Sequence, residues 1–211
     1  MSSQNFTTFY IVRHGESEGN VQKILQGHLD FPLSEEGERQ AKRRAQELRQ
    51  VSFDLVFSSD LLRAHRTAEI IAQEHKLTVK TTQVLRERKY GLYEGLSPEN
   101  TTRAIERIFD KWHQMAEREW MNHKLDEYFE SGDEMVARTL TFIREIAVSH
   151  PGKTILTVSH GDLMKNLLMH LGWGTKEDLS WGAIKNTDYF VLETDGVEFF
   201  VSESSITRAL E

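Results

Sequence analysis

Apolar residues follow two rhythms along this chain. Short β-branched runs alternate with longer stretches in which apolar side chains recur every three or four residues. The runs Thr8–Val12, Leu55–Ser58, Thr78–Thr82 and Thr154–Val158 predict strands, and Thr8–Val12 and Thr154–Val158 have the look of buried strands in a parallel sheet. Between them the spacing predicts helices. Ser34 is placed to cap one that runs to about Gln50, with Gly37, Ala41 and Ala45 on its buried face. Asp60 is expected to cap a second through His75, packed by Ala64, Ala68 and Ile71. Ser97-Pro98 is expected to open a long helix into the 120s, carrying Ile105, Ile108, Phe109, Trp112 and Met115. Ser131 and Glu134 have capping-box spacing, ahead of a helix with Val136, Leu140, Ile143 and Ala147 inward that stops at Pro151-Gly152. A last helix is predicted from Asp162 to about Leu171. Asp195-Gly196 between Tyr189–Glu193 and Val197–Val201 signals a hairpin. Strands alternating with helices predict a three-layer α/β/α sandwich: a largely parallel central sheet, an antiparallel edge strand and a C-terminal hairpin.

Bulk composition narrows the function. The 211 residues suit one domain, 1–211, with a helical insert at about 97–131. No apolar stretch approaches the roughly 18 residues that span a bilayer. Met1-Ser2-Ser3-Gln4-Asn5 lacks the basic start and apolar region of a signal peptide, which predicts a cytoplasmic protein. The absence of cysteine removes disulfides, thiolate metal sites and a cysteine nucleophile. A formal net charge of −7 argues against nucleic acid or a membrane surface as partner. A small anion remains a suitable ligand if a few arginines converge on one pocket.

Two His-Gly steps carry the chemistry. Phe9-Tyr10-Ile11-Val12-Arg13-His14-Gly15-Glu16 and Thr154-Ile155-Leu156-Thr157-Val158-Ser159-His160-Gly161-Asp162 each place a histidine where a predicted strand ends. Open α/β sheets bind ligands at the carboxyl ends of their strands. Two imidazoles arriving there from distant parts of the chain predict one site. Further blocks are Asn20, Gln26-Gly27-His28-Leu29-Asp30-Phe31-Pro32-Leu33, Ser58–Ala68 with Arg63, and Leu85-Arg86-Glu87-Arg88-Lys89-Tyr90-Gly91-Leu92-Tyr93-Glu94-Gly95.

In this order and spacing the blocks resemble the histidine phosphatase superfamily, also called the phosphoglycerate mutase-like family. The resemblance runs from about Phe9 to Leu171. It implies that fold, catalysis through a phosphohistidine, and no metal or other cofactor. Phosphoryl transfer needs a nucleophile, charge neutralisation of the equatorial oxygens and a proton for the leaving alcohol. His14 fits the nucleophile, with a carbonyl near Gly15 holding its other ring nitrogen. Arg13 and Arg63 offer planar forks for phosphate oxygens, and His160 a cationic donor. Asn20 can donate to phosphate, and Gly27 lets the backbone approach it. Ser17, Gln26 and Gly161 complete the expected phosphate-binding set, Ser17 equally suited to capping a turn and Gln26 to bracing the loop. Glu87 is the expected proton donor, provided that burial and the nearby phosphate raise its pKa.

Other polar residues read as structural. His28, His65, His75, His113, His123, His150 and His170 lack metal-ligand spacing. Asp162 is explained by helix capping, Trp112 and Trp120 by core packing, and Arg66 and Lys42-Arg43-Arg44 by solvated surface. Arg86, Arg88 and Lys89 read as a solvated edge, or as cations for a second anionic group on the substrate. The expected function is a phosphatase acting on a small phosphorylated metabolite, with a homodimer as the candidate assembly. The alternative is a 2,3-bisphosphoglycerate-dependent mutase, although the insert's Arg103, Arg107 and Arg118 offer no adjacent arginine pair and Asp162 stands where mutases usually carry Asn. A third reading is a weakly active module that binds a phosphorylated partner, which would have no need for a proton donor.

Overall fold

In the computed structural model, which describes residues 6–180 and 182–207, the fold is organised around strand β1 (Thr7–Arg13). β1 pairs in parallel with β4 (Thr154–Ser159) and antiparallel with β5 (Tyr189–Thr194). β4 continues in parallel to β2 (Leu55–Ser59), and β2 to β3 (Val79–Thr82). β6 (Phe199–Ser204) closes the other edge, giving the order β3-β2-β4-β1-β5-β6. This is the expected mixed sheet, largely parallel, with an antiparallel hairpin at its C-terminal edge. Met1–Asn5, on which the reading of the start of the chain rests, lie outside the described residues.

Side chains alternate across the pleat, so each strand feeds two cores. Phe9 and Ile11 of β1, Phe57 of β2 and Ile155 of β4 face one side. There they meet α6 (Gly132–Ser149) and α7 (Gly161–His170) through Leu140, Ile143, Met164 and Leu168. Val12, Val56, Leu156 and Val158 face the other side, against Ala41 and Ala45 of α2 (Glu35–Leu48) and Ala64 and Ala68 of α3 (Leu62–His75). The small side chains let α2 and α3 lie close on the sheet, completing the three layers. Ser34 caps α2 through the Gly37 N–H, and Ser131 and Glu134 form the capping box of α6.

Register decides where the chemistry falls. Arg13 sits opposite Ser159 in the β1–β4 ladder, so the next residues, His14 and His160, leave the sheet side by side. The His14 N–H donates to the Ser159 carbonyl at 3.0 Å. A short helix, α1 (Glu18–Val21), then turns the chain away from β1. The turn after His14 is held against α2 at a close backbone crossing. A Cβ on Gly37 would lie 1.9 Å from the Glu16 carbonyl oxygen, so only glycine fits there.

Three local expectations need correction. The single helix predicted from Ser97-Pro98 is two: α4 (Arg103–Gln114), capped by Thr102, and α5 (Glu117–Asn122). Residues 97–101 form a turn instead, closed by the Thr101 hydroxyl on the Ser97 carbonyl. In one straight helix, Trp112 and Trp120 would stand about 12 Å apart along the axis. The break at Met115-Ala116 folds their rings together, stacked at 5.0 Å between centroids. The Lys176 ammonium takes the His113 and Met115 carbonyls that the break frees. Second, Asp60 does not cap α3. The Asp30 carboxylate accepts the Leu62 N–H, and Asp60 instead forms a two-pronged ion pair with Arg86 at 2.6 and 2.7 Å. Third, the hairpin turn spans residues 195–198, pairing Thr194 with Phe199, so β6 starts two residues later than the pattern suggests. The Asp195 carboxylate accepts the Val197 and Glu198 N–H groups, which stabilises the longer turn.

Candidate active site

At the carboxyl ends of β1 and β4 the two histidine rings lie 5.1 Å apart, centroid to centroid, at 62°. Both are buried. His14 Nδ1 is 2.6 Å from the Gly15 carbonyl oxygen. A carbonyl only accepts, so Nδ1 carries the proton and the lone pair of the neutral ring is on Nε2. Burial pushes the His14 pKa well below its usual value, and the positive charges of Arg63 and Arg13 push it further. The ring is therefore neutral near pH 7, as a nucleophile must be. His160 is depressed in the same way, first by burial and then by Arg63 and His14. The expected cationic donor is thus neutral in this arrangement. A dianion beside it would supply the opposite charge that the two guanidiniums now leave uncompensated.

The arginines are fixed by backbone. Arg13 Nη1 donates to the Ile184 carbonyl. Arg63, at the first turn of α3, donates from Nη1 to the Leu29 carbonyl at 2.9 Å and from Nη2 to the Gly27 carbonyl at 2.8 Å. Burial pushes the Arg63 guanidinium down to about 10, which leaves it a cation near neutrality. Thr67, one turn further on α3, joins Arg63 to the histidine loop: its hydroxyl donates to the Arg63 carbonyl and accepts the Gly15 N–H. Gly161 lies directly under Arg13, and a Cβ there would stand 3.2 Å from Arg13 Nε.

Several polar atoms in this cluster lack partners. Arg13 Nε, Arg63 Nε and both ring nitrogens of His160 are buried and make no hydrogen bond with the protein. Orphaned buried polar atoms are costly and uncommon in native proteins. Their gathering around the His14 ring, on cationic groups, describes a binding site for an anion with several acceptor oxygens.

Glu87 arrives from the loop after β3. Its carboxylate accepts the N–H of Asp162 at 3.1 Å and of Leu163 at 3.0 Å, the first turn of α7, and that of Arg88 at 3.0 Å. Burial raises its pKa, and the Asp162 charge raises it further, against the lowering effect of those N–H groups. The expected upward shift is therefore present, with Asp162 as a cause alongside burial.

The remaining expected residues fall nearby and contact one another. Ser17 caps α1 and its hydroxyl lies 2.9 Å from Gln26 Oε1. Asn20 Oδ1 accepts the Ser17 N–H at 3.1 Å. Asn186 donates to the His14 carbonyl at 3.0 Å. These contacts brace the histidine loop. Gly27 has φ +52°, and a Cβ would lie 2.3 Å from a Glu94 carboxylate oxygen, so only glycine fits there. Arg66 is on the surface with Glu38 and Glu69, as expected. Arg44 departs from the solvated-face reading: it bonds the Thr187 carbonyl and lies over the Tyr189 ring.

The sequence reading missed one ion pair entirely. Arg88 is fully buried, not a solvated edge. Its Nε donates to Asp162 Oδ2 at 2.5 Å, Nη1 to the Glu130 carbonyl and Nη2 to Asn166. The guanidinium lies 5.3–5.4 Å from the ring centroids of Trp112, Trp120 and Phe129. Asp162 is therefore more than a helix cap: Tyr90 also donates to it at 3.2 Å. Burial would raise the Asp162 pKa, but Arg88 outweighs it and holds the carboxyl below its ordinary value. Arg138 is a second omission, holding the Arg86 and Glu87 carbonyls from α6. The sequence carries no local sign of the Arg88 pair, because the aromatics at 112, 120 and 129 that cover the guanidinium lie far from Arg88 along the chain.

Mixed sheet, paired imidazoles and orphaned cationic donors define a phosphoryl-binding α/β enzyme. The family model of the histidine phosphatase superfamily (branch 1) matches residues 9–207, and the chain belongs to that superfamily. A phosphatase of Bacillus subtilis (strain 168), the uncharacterized PhoE, is 31% identical over 172 residues, covering 81% of this chain and 80% of that protein. Phosphoserine phosphatase 1 of Hydrogenobacter thermophilus is 30% identical over 201 residues, 93% of this chain and 91% of its own. The solved structure of Bacillus stearothermophilus YhfR superposes with a TM-score of 0.82 at 27% identity, over 97% of this chain and 100% of that one. The enzyme class expected from the motifs, a histidine phosphatase, therefore stands.

Proposed function

We propose that the chain hydrolyses a small phosphomonoester through a phosphohistidine on His14, without metal or other cofactor. The observation that carries this reading is the set of orphaned donors on Arg13, Arg63 and His160 around a histidine whose Nδ1 is tied to the Gly15 carbonyl. His14 Nε2 attacks phosphorus as the bond to the ester oxygen breaks. Glu87 gives its proton to the departing alkoxide. A water then attacks the phosphohistidine, Glu87 takes its proton back, and the N–P bond breaks to release orthophosphate with both groups restored. Two guanidiniums supply the charge neutralisation that a metal ion provides elsewhere. His160 gains a proton as the dianion binds and donates to it. Hydrolysis is favoured over the mutase reading because Arg103, Arg107 and Arg118 of the insert are exposed and do not line the cavity beside Arg13 and Glu87. A cytoplasmic setting and a homodimer remain part of this reading, and both are open to direct test.

Release of phosphate from p-nitrophenyl phosphate in excess EDTA tests the proposal. Full activity is expected in EDTA, with a loss of about a thousandfold or more in His14→Ala. Activity that EDTA abolishes, or that survives in His14→Ala, would overturn it.

A further inference from the structure

The proton donor hangs from the least anchored part of the sheet. β3 is a short strand at one edge and pairs only with β2. His14 and His160, by contrast, leave the central strands β1 and β4. The sheet therefore fixes the histidines and leaves Glu87, past the end of β3, to be placed by side chains. Its carboxyl accepts the N–H groups of Asp162, Leu163 and Arg88. Those donors favour the ionised carboxylate over the neutral acid, so they hold least firmly the form that gives up the proton. An anchor on the Glu87 backbone keeps its strength in both forms.

Two side chains anchor the Glu87 carbonyl. Arg138 Nη2 donates to it at 3.2 Å, but the same guanidinium also serves the Val84 and Arg86 carbonyls and the Glu130 carboxylate. The half-buried His28 places Nε2 3.0 Å from it, and among the described residues this is the ring's one hydrogen bond. A carbonyl only accepts, so Nε2 carries the proton. Burial lowers the His28 pKa, which makes the ring a neutral donor near pH 7. The backbone around His28 is held too. Its N–H donates to Glu94 Oε1 at 3.0 Å, the oxygen that also accepts the Tyr90 N–H at 3.1 Å. On either side, the Gly27 and Leu29 carbonyls take the Arg63 guanidinium at 2.8 and 2.9 Å. Residues 27–29 thus form a strap, with Arg63 bonded to its backbone and Glu87 to its one imidazole.

We infer that His28 is a positioning residue: through the Glu87 carbonyl it holds the proton donor in register with the Arg63 guanidinium, and so with the phosphoryl group that Arg63 binds. The inference rests on the phosphatase reading, with Glu87 as the donor.

The test compares kcat/KM for benzyl phosphate and p-nitrophenyl phosphate, esters of similar size. Benzyl alkoxide needs a proton to leave, and p-nitrophenolate does not. His28→Leu is expected to lower the value for benzyl phosphate about tenfold, a fraction of the roughly 10²-fold that a proton donor supplies, and that for p-nitrophenyl phosphate less than about twofold. His28→Gln, whose side-chain amide brings an N–H to the same carbonyl, should recover most of the loss. In a Glu87→Gln background His28→Leu should cost benzyl phosphate less than about twofold, because the group it positions is already gone. A loss of folded enzyme would slow both esters alike. Equal losses on the two esters, no loss on either, no recovery in His28→Gln, or an undiminished loss in the Glu87→Gln background overturns the inference. So does wild-type turnover of p-nitrophenyl phosphate with none of benzyl phosphate, since no proton then reaches the leaving oxygen. The phosphatase reading fails by a different result, p-nitrophenyl phosphate turnover that stops in EDTA or survives in His14→Ala. A wild type that hydrolyses neither ester overturns both.

Discussion

At the scale of single residues, protonation governs what the site can do. Burial and then the Asp162 charge raise the Glu87 pKa, and three backbone N–H groups position its carboxyl. A proton donor matters most when the leaving alkoxide is a poor one. Glu87→Gln is expected to lower turnover of an alkyl phosphate by roughly 10²-fold or more, and of p-nitrophenyl phosphate far less. Equal losses on the two esters in steady-state assays would remove Glu87 from the donor role. The histidines make a separate statement about stability. Burial, then the charge of Arg63, depresses the pKa of both His14 and His160. The unfolded chain takes up protons at these rings below about 6.5, while the folded chain does not until far lower. Their contribution is present above that pH and is lost as pH falls toward the folded values. Urea midpoints should therefore drop between about pH 7 and pH 5.5, and His160→Gln should shallow that slope. An identical slope in the variant would contradict the assigned shift.

At the scale of elements, the buried Arg88–Asp162 pair ties the loop after β3 to α7, to the insert and to the segment that leads into α6. Arg88 binds the Glu130 carbonyl, the Asp162 carboxylate and Asn166, and its flat faces are covered by Trp112, Trp120 and Phe129. Removing one member of a buried pair strands the other charge, at a cost of about 3–5 kcal/mol. Arg88→Met is expected to destabilise by that order in denaturant titration. Arg88→Met combined with Asp162→Asn should recover part of the loss, because no buried charge is left alone. A double variant no more stable than the single one would show that the pair is not the source of the cost. The helix break at Met115-Ala116 belongs to the same device. Without it the two tryptophans could not both reach the guanidinium.

At the scale of the whole molecule, the parts written locally in the chain were legible and the parts made by distant contact were not. His14 and His160 could be placed because each follows its own apolar run, and the β1–β4 register then brings them together. The Gly15 carbonyl as partner for His14 followed from the tautomer that a nucleophile needs. Ser34 and Ser131 announced their helices because a cap acts within one turn. Arg88 could not be read as buried, since its neighbours in sequence are charged and its aromatic covering comes from residues 112, 120 and 129. The break in the insert was hidden for a related reason. Helical spacing persists through residue 115, and what ends it is stacking of Trp120 and the distant ammonium of Lys176.

The central claim concerns one bond, between phosphorus and Nε2 of His14. Mixing the enzyme with a phosphomonoester and quenching in alkali within milliseconds, followed by peptide mass spectrometry, tests it directly. The account predicts an acid-labile, alkali-stable phosphoryl group on the peptide containing His14, present before steady state and absent in His14→Ala. Turnover by the wild type with no such adduct at any quench time, or with the adduct on His160, would contradict it.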